Sequence, residues 1–132
     1  MAYWLLKSEP ETYGWDDLVT EQRTEWTGVR NPAAALHMKA MEVGDRAFFY
    51  HSGKAKAVVG IVAVTHGARQ DGDDPRWVSV EIAPVVPLGV PVTLAAMKAD
   101  TALAGMAVVR QGRLSVSPVS DAEWAAIVAM GG

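Results

Sequence analysis

The segment from Trp26 to Asn31 brings an aromatic ring, a guanidinium and a side-chain amide close together in sequence. Gly28 predicts a tight turn, and Asn31 before Pro32 predicts a helix start whose free N–H groups suit an electron-rich ligand edge. Aromatic rings stack on nucleobases, and an Asn amide offers a donor and an acceptor to a base edge. The segment is therefore a candidate base-binding corner, although a buried structural role for Trp26 explains it equally well.

A second polar and aromatic cluster consists of Tyr50, His51 and Ser52, where a predicted strand ends before Gly53. Strand ends are places where rigid elements present side chains to ligands. A hydrogen-bonded turn also explains these residues, and so does a hydrolytic pair of His51 and Ser52. Neighbours on a strand point to opposite faces, so this pair is poorly arranged to act as nucleophile and base.

The chain has little other chemistry of the kind that catalysis or metal binding requires. It has no cysteine, which excludes disulfides, thiolate nucleophiles and cysteine-ligated zinc. Its three histidines, His37, His51 and His66, have no metal-ligand spacing, and no phosphate loop, GxSxG elbow or HExxH helix occurs. We therefore expect no catalytic residue, no metal site and no cofactor.

Short strands and short helices must position these residues. Aromatic and β-branched runs predict four strands, at Tyr3 to Leu6, Arg46 to His51, Ala57 to Thr65 and Trp77 to Ile82. A shorter strand is predicted at Leu114 to Val116, before Pro118. The three prolines after Ile82 predict an extended connector, and the polar segment Glu21 to Glu25 predicts a loop.

Capping signals predict where the main helices begin. Asn31 and Pro32 begin one helix, and a capping box from Ser120 to Glu123 begins the last. Two shorter helices are predicted at Leu94 to Lys98 and Thr101 to Met106. Because turns separate several of the strands, we expect the α+β class, with a mainly antiparallel sheet or a small β-barrel.

Length and composition indicate a single globular domain. The chain has 132 residues, of which 50% are hydrophobic and 20% charged, which excludes intrinsic disorder. Three of its five tryptophans lie in regular element patterns and are expected in the core: Trp4, Trp77 and Trp124.

The charge of the chain limits what it binds. A formal net charge of −3 argues against a broadly basic, non-specific nucleic-acid binder. The segment from Trp26 to Gly60, however, contains five basic residues and only two acidic ones. This excess predicts either a local basic face or scattered solvated charges. No secretory signal or long apolar run is evident, so we expect a cytoplasmic protein without a membrane partner.

Five segments, in order and over nearly the whole chain, resemble the EVE domain family. They are Tyr3 to Pro10, Trp26 to Asn31, Gly44-Asp45, Phe48 to Gly53 and Arg113 to Val116. The resemblance implies one domain over residues 1–132 with a PUA-like fold, a small mixed β-barrel flanked by short helices. Its relatives include the YTH domains, which read methylated adenine in RNA.

The same resemblance implies a non-enzymatic module that binds DNA or RNA and reads a modified cytosine or adenine. The base would be flipped into an aromatic and polar pocket, with Lys7 and Arg30 meeting flanking phosphates. The residues expected around the base are Lys7, Ser8, Trp26, Arg30, Asn31, Tyr50, His51 and Ser52. The chain departs from the family at residues 33–35, where alanines replace common polar side chains, and this predicts fewer phosphate contacts from that helix.

Two other classes of function stay open from the sequence. One is a small-molecule-binding or hydrolytic enzyme that uses Tyr50, His51 and Ser52, and the other is a structural or interaction module. Co-purified nucleotide would favour the base reader, whereas ester turnover would favour the enzyme.

Overall fold

A computed structural model describes all 132 residues and contains a six-stranded mixed sheet. The strands are β1 (Tyr3–Ser8), β2 (Thr24–Trp26), β3 (Arg46–His51), β4 (Ala57–Gln70), β5 (Val78–Thr93) and β6 (Val116–Val119). The helices are α1 (Trp15–Glu21), α2 (Pro32–Ala40), α3 (Leu94–Ala99), α4 (Ala107–Arg110) and α5 (Asp121–Gly131). None of these helices is both long and apolar enough to cross a membrane.

The strand order in space is β2-β5-β4-β3-β1-β6. Only β1 and β3 pair in parallel, with Leu5 opposite Phe48, and the other four strand pairs are antiparallel. The outer strands β2 and β6 do not pair with each other, so hydrogen bonds do not close the sheet into a complete barrel. The expected α+β class with a mainly antiparallel sheet is confirmed.

Alternate side chains of the central strands enter two separate cores. Trp4 and Leu6 of β1 join Phe49 in the first core, whereas Leu5 and Phe48 lie in the second. Successive residues of a strand point to opposite faces, and both faces of this sheet are covered. The continuous apolar runs of β1 and β3 follow from this double burial.

The helices divide between the two cores. Leu18 of α1 and Met38 of α2 are fully buried in the first core. Met97 of α3, Val108 of α4 and Ile127 of α5 belong to the second core. The two longest helices, α2 and α5, therefore cover opposite faces of the sheet.

Both predicted helix caps are confirmed. The Asn31 side chain accepts a hydrogen bond from the backbone N–H of Ala34 at 3.0 Å. The Ser120 hydroxyl accepts one from the Glu123 N–H at 3.1 Å, and the Glu123 carboxylate accepts one from the Ser120 N–H at 2.9 Å. These caps satisfy donors that the first helical turn leaves without partners.

The predicted connector after Ile82 is wrong, because β5 continues to Thr93 through three prolines. The strand β2 pairs only with Val80 to Ile82, so the rest of β5 has no partner on that side. Proline has no N–H to donate, and on this unpaired edge of β5 no neighbouring strand requires one. Register shifts in the β4–β5 ladder accommodate the irregular backbone.

Three shorter segments also differ from the sequence prediction. Thr24–Trp26 forms the edge strand β2 instead of a loop. Thr101 to Met106 is a series of turns, and α4 follows it. The edge strand β6 begins at Val116 and includes Pro118, a residue that such an edge position tolerates.

Gly60 in β4 makes room for the ring of Trp15. A Cβ atom at position 60 would lie only 2.5 Å from two ring carbons of Trp15. The Trp15 ring also contacts Phe49 edge to face, with the ring centroids 5.7 Å apart. A glycine at this position therefore sets how closely α1 packs on the sheet.

We expect Gly60→Ala to lower the free energy of unfolding by about 1–3 kcal/mol, because the Trp15 ring or the strand must move. Urea unfolding curves measure the change. Gly105→Ala is the matched control, since a Cβ atom there meets nothing within 4 Å. Equal unfolding midpoints for the two variants would contradict the expectation.

Candidate functional site

A cleft of about 900 Å³ lies between the end of β1, the strand β2 and the start of α2. Most of the residues that line it have polar side chains. Five of the eight predicted site residues line it: Lys7, Ser8, Trp26, Arg30 and Asn31. The cleft therefore gathers side chains from segments that are distant in sequence.

Trp26 supplies the main aromatic surface of the cleft. It is the last residue of β2, where it pairs with Val80, so it lies in a strand rather than in a loop. The half-buried ring meets Phe49 edge to face at 5.7 Å and Tyr13 at 6.5 Å between centroids. The core thus supports the ring from behind while the ring lines the cleft.

Tyr13 is a second aromatic residue of the cleft that the sequence did not single out. Its hydroxyl donates a hydrogen bond to the Glu21 carboxylate. Burial, together with this hydrogen bond, raises the pKa of Tyr13 to about 12. The phenol is therefore neutral over the ordinary pH range, and its ring lines the cleft beside Trp26.

Asp71 holds the turn between Trp26 and Asn31. One of its carboxylate oxygens accepts hydrogen bonds from the Gly28 N–H at 2.9 Å and from Arg30 Nη1 at 3.0 Å. Gly28 has φ +80°, which glycine adopts easily. The Gly28 N–H and then the Arg30 guanidinium lower the pKa of Asp71. Asp71 lies in a segment with Asp73 and Asp74, and nothing in the sequence predicts its contact with Gly28.

The start of α2 offers fewer donors than the sequence predicts. Pro32 has no N–H, and the Asn31 side chain and carbonyl accept the N–H groups of Ala34 and Ala35. At most, the N–H of Ala33 is left for a ligand. The Asn31 amide nitrogen, in contrast, keeps its two donors, because only the amide oxygen takes part in the cap.

Lys7 and Ser8 form the β1 side of the cleft. Lys7 Nζ donates to the Gly112 carbonyl at 2.9 Å and lies 5.8 Å from the Tyr50 ring centroid, and burial lowers the pKa of Lys7. The Ser8 hydroxyl donates to the Tyr13 carbonyl. Lys7 therefore has N–H donors, and Ser8 has an acceptor oxygen, left for a ligand.

The other three predicted residues do not line the cleft. Tyr50 is 3% exposed and belongs to the second core. The Nε2 atom of His51 accepts the backbone N–H of Trp15 at 3.1 Å, and burial lowers the pKa of His51. The Ser52 N–H donates to the Ser8 carbonyl at 2.8 Å. His51 thus caps the start of α1, and no hydrogen bond joins its ring to Ser52.

Acidic side chains of this protein pair with arginines, as Glu25 and Glu81 do with Arg69. No group of three or more His, Asp or Glu residues lies close enough together to hold a metal ion. The cleft combines hydrogen-bonding side chains with the Trp26 ring, and an aromatic ring is a surface on which a planar ligand can stack.

Comparison with known proteins identifies relatives over almost the whole chain. The EVE domain family model matches residues 2–130. Thymocyte nuclear protein 1 of Gallus gallus is 32% identical, over 93% of this chain and 66% of its own length. The Homo sapiens protein of the same name is 30% identical, over 93% of this chain and 71% of its own length. The chain spans about two thirds of the length of these curated relatives.

Solved structures of similar proteins share the fold. An NMR structure of Rpa0253 from Rhodopseudomonas palustris has a TM-score of 0.95 at 48% identity, covering 100% of this chain and 94% of that chain. The crystal structure of human THYN1 protein in complex with DNA containing 5-methylcytosine has a TM-score of 0.91 at 28% identity, covering 99% and 98%. The expected PUA-like fold is confirmed by these matches.

Proposed function

This chain belongs to the EVE domain family, and on that premise we propose that it is a non-enzymatic nucleic-acid-binding module that reads a modified base. The observation that carries the proposal is the cleft, in which a supported Trp26 ring lies among single hydrogen-bonding side chains. The DNA-bound structure of its human relative supports the class of ligand.

The modified base would stack on Trp26. Stacking of a base on an aromatic ring is worth about 1–3 kcal/mol and requires no particular base. Discrimination would come from the cleft edge, where the Asn31 amide and Lys7 donate and the Ser8 oxygen accepts. A base in a duplex reaches such a cleft only by leaving the helical stack, which a flipped conformation provides.

Phosphate contacts would contribute little to the affinity. Arg30 lines the cleft but is paired with Asp71, and Lys7 already donates to a backbone carbonyl. The net charge of −3 and the alanines at residues 33–35 provide no broad basic surface. We infer that the affinity depends mainly on the base in the cleft and changes only weakly with salt concentration.

The hydrolytic alternative has less support from the geometry. The Nε2 atom of His51 is occupied by the Trp15 N–H, and Ser52 has no hydrogen bond to the imidazole. A serine nucleophile needs a base within hydrogen-bond reach of its hydroxyl. Ester turnover that His51→Ala abolishes would nevertheless favour the enzyme.

The proposal is tested with matched fluorescent DNA oligonucleotides that differ in one position, cytosine or 5-methylcytosine. We expect the methylated DNA to bind about 4-fold more tightly, because burial of one additional carbon beside the Trp26 ring is worth about 0.8 kcal/mol. Anisotropy titrations give both dissociation constants. RNA and N6-methyladenine versions establish the preferred nucleic acid and base.

Two results would count against this proposal. Equal affinity for every modified and unmodified oligonucleotide would contradict base reading but would agree with general nucleic-acid binding. No measurable binding to any of them would contradict nucleic-acid binding itself.

A further inference from the structure

Trp77 packs into neither core, although the sequence predicts a core position for it. The other four tryptophans belong to a core cluster or pack against one. Trp77 is half-buried and directly precedes β5. A large aromatic ring that does not support the core is available for another role.

Two arginine side chains lie over the Trp77 ring. The Cζ atoms of Arg30 and Arg76 lie 5.7 Å and 5.2 Å from the ring centroid. Each guanidinium is held by an aspartate, Arg30 by Asp71 at 3.0 Å and Arg76 by Asp74 at 2.7 Å. We call Arg30, Arg76 and Trp77 the Trp77 platform.

The Trp77 platform begins at the wall of the cleft. Arg30 lines the cleft and also lies over the Trp77 ring, so one side chain joins the two surfaces. The loop that carries Trp77 is closed by backbone hydrogen bonds from Asp71 to Trp77 at 2.9 Å and from Trp77 to Asp74 at 3.1 Å. Asp71 also holds Gly28, so the cleft turn and the platform are tied together.

Asp71 and Asp74 neutralise the two arginines of the platform, so the platform attracts a phosphate weakly and offers mainly a stacking surface. Asp71, Asp73 and Asp74 outnumber the two arginines in and around this loop. A phosphate would meet these carboxylates, whereas a nucleobase is uncharged and stacks on aromatic rings and on guanidinium planes. The side chain of Arg76 is 73% exposed and therefore accessible to such a ligand.

We propose that Trp77, together with Arg76, is a second stacking surface that holds a base next to the modified base on the same strand. The inference rests on the proposed function, because it assigns the modified base to the Trp26 cleft. It extends the site from one nucleotide to at least two, and it makes the affinity depend on a neighbouring base rather than on additional phosphate contacts.

The test compares two ligands, 5-methyl-2′-deoxycytidine monophosphate and a short single-stranded oligonucleotide with a central 5-methylcytosine. We expect Trp77→Ala to weaken oligonucleotide binding by about 5- to 150-fold and to leave mononucleotide binding unchanged. The salt dependence of oligonucleotide binding should not change, because no phosphate contact is removed. Trp77→Phe, which keeps an aromatic ring, should retain most of the affinity.

Arg76→Gln is a second variant that keeps the ring and changes only an exposed side chain. It should weaken oligonucleotide binding less than Trp77→Ala does, and it serves as the test if thermal melting shows that Trp77→Ala is unfolded.

Unchanged oligonucleotide affinity in the folded variants would overturn the inference and leave the proposed function intact. Equal losses for both ligands would also overturn it, because Trp77 would then act through the cleft. Failure of the wild type to bind either ligand would overturn both.

Discussion

Trp26→Ala is expected to weaken binding of DNA containing 5-methylcytosine by about 5- to 150-fold, the loss that removal of one base–aromatic stack produces. The ring lines the cleft and is supported by Phe49 and Tyr13, so no neighbouring ring can take its place without moving. Anisotropy titrations of wild type and variant give the ratio of dissociation constants. Trp26→Phe should recover part of the loss.

The variant also loses packing, so a control must separate binding from stability. Truncation of a fully buried tryptophan costs about 3–5 kcal/mol, and half-buried Trp26 should cost less. Trp124→Ala is the matched control, because that ring stacks between Tyr3 at 4.2 Å and Phe48 at 3.9 Å and does not line the cleft.

Trp124→Ala should therefore melt at a lower temperature than wild type and bind the DNA normally. The binding assays belong at a temperature at which thermal melting shows all variants to be folded. A folded Trp26→Ala protein with wild-type affinity would remove Trp26 from the proposed pocket.

Asp45→Ala is expected to have the largest effect on stability, about 3–5 kcal/mol at neutral pH, because it leaves three donors without their shared acceptor. Asp45 is 4% exposed and accepts hydrogen bonds from Trp4 Nε1 at 3.0 Å, the Ala2 N–H at 3.1 Å and the Glu42 N–H at 3.0 Å. These bonds tie the start of β1 to the turn before β3. Urea unfolding at pH 7 measures the loss.

The same carboxylate makes a pH-dependent contribution whose sign follows from its pKa. Burial opposes ionisation of Asp45, but hydrogen bonds from Trp4, Glu42 and Ala2 outweigh it and hold the pKa below the usual 3.8. A group with a lowered pKa in the folded state stabilises the protein above its unfolded pKa and loses this effect as the pH falls through the folded pKa. Protonation of Asp45 should therefore contribute to acid unfolding.

Asp45→Asn keeps the shape but removes both the titrating charge and one of the two acceptor oxygens, so the charge effect is read from the pH dependence of its difference from wild type. The difference in free energy of unfolding between wild type and Asp45→Asn should be constant at neutral pH and shrink as the pH falls below about 3.8. A difference that does not change with pH over this range would contradict the assignment.

Asp45 also gives a physical reason for one of the segments on which the family resemblance rests. Gly44 has φ +96°, and the Asp45 side chain beside it joins β1 to β3, the only parallel pair of the sheet. This pair of residues therefore serves the register of the strands. It lies outside the cleft lining, whereas Trp26 to Asn31 lies within it.

The amino-acid sequence by itself determined the features that depend on near neighbours. The caps at Asn31 and Ser120 form as predicted because each uses a side chain and an N–H three residues away. The strand β3 has the predicted bounds, since an aromatic run favours a pleated strand wherever it is buried. The family resemblance added the grouping of Lys7, Ser8, Trp26, Arg30 and Asn31, all of which line one cleft.

Only the tertiary structure decided which side chains face that cleft and which long-range contacts hold it. Alternation along a strand predicts that His51 and Ser52 point apart, but only the packing of the helices decides that Tyr50 enters a core and that His51 caps α1. Asp71 reaches Gly28 across 43 residues of sequence. Trp77 lies outside both cores because the loop that carries it folds beside Arg30. The burial of these side chains and their long-range hydrogen bonds depend on the whole fold, so local residue patterns do not predict them.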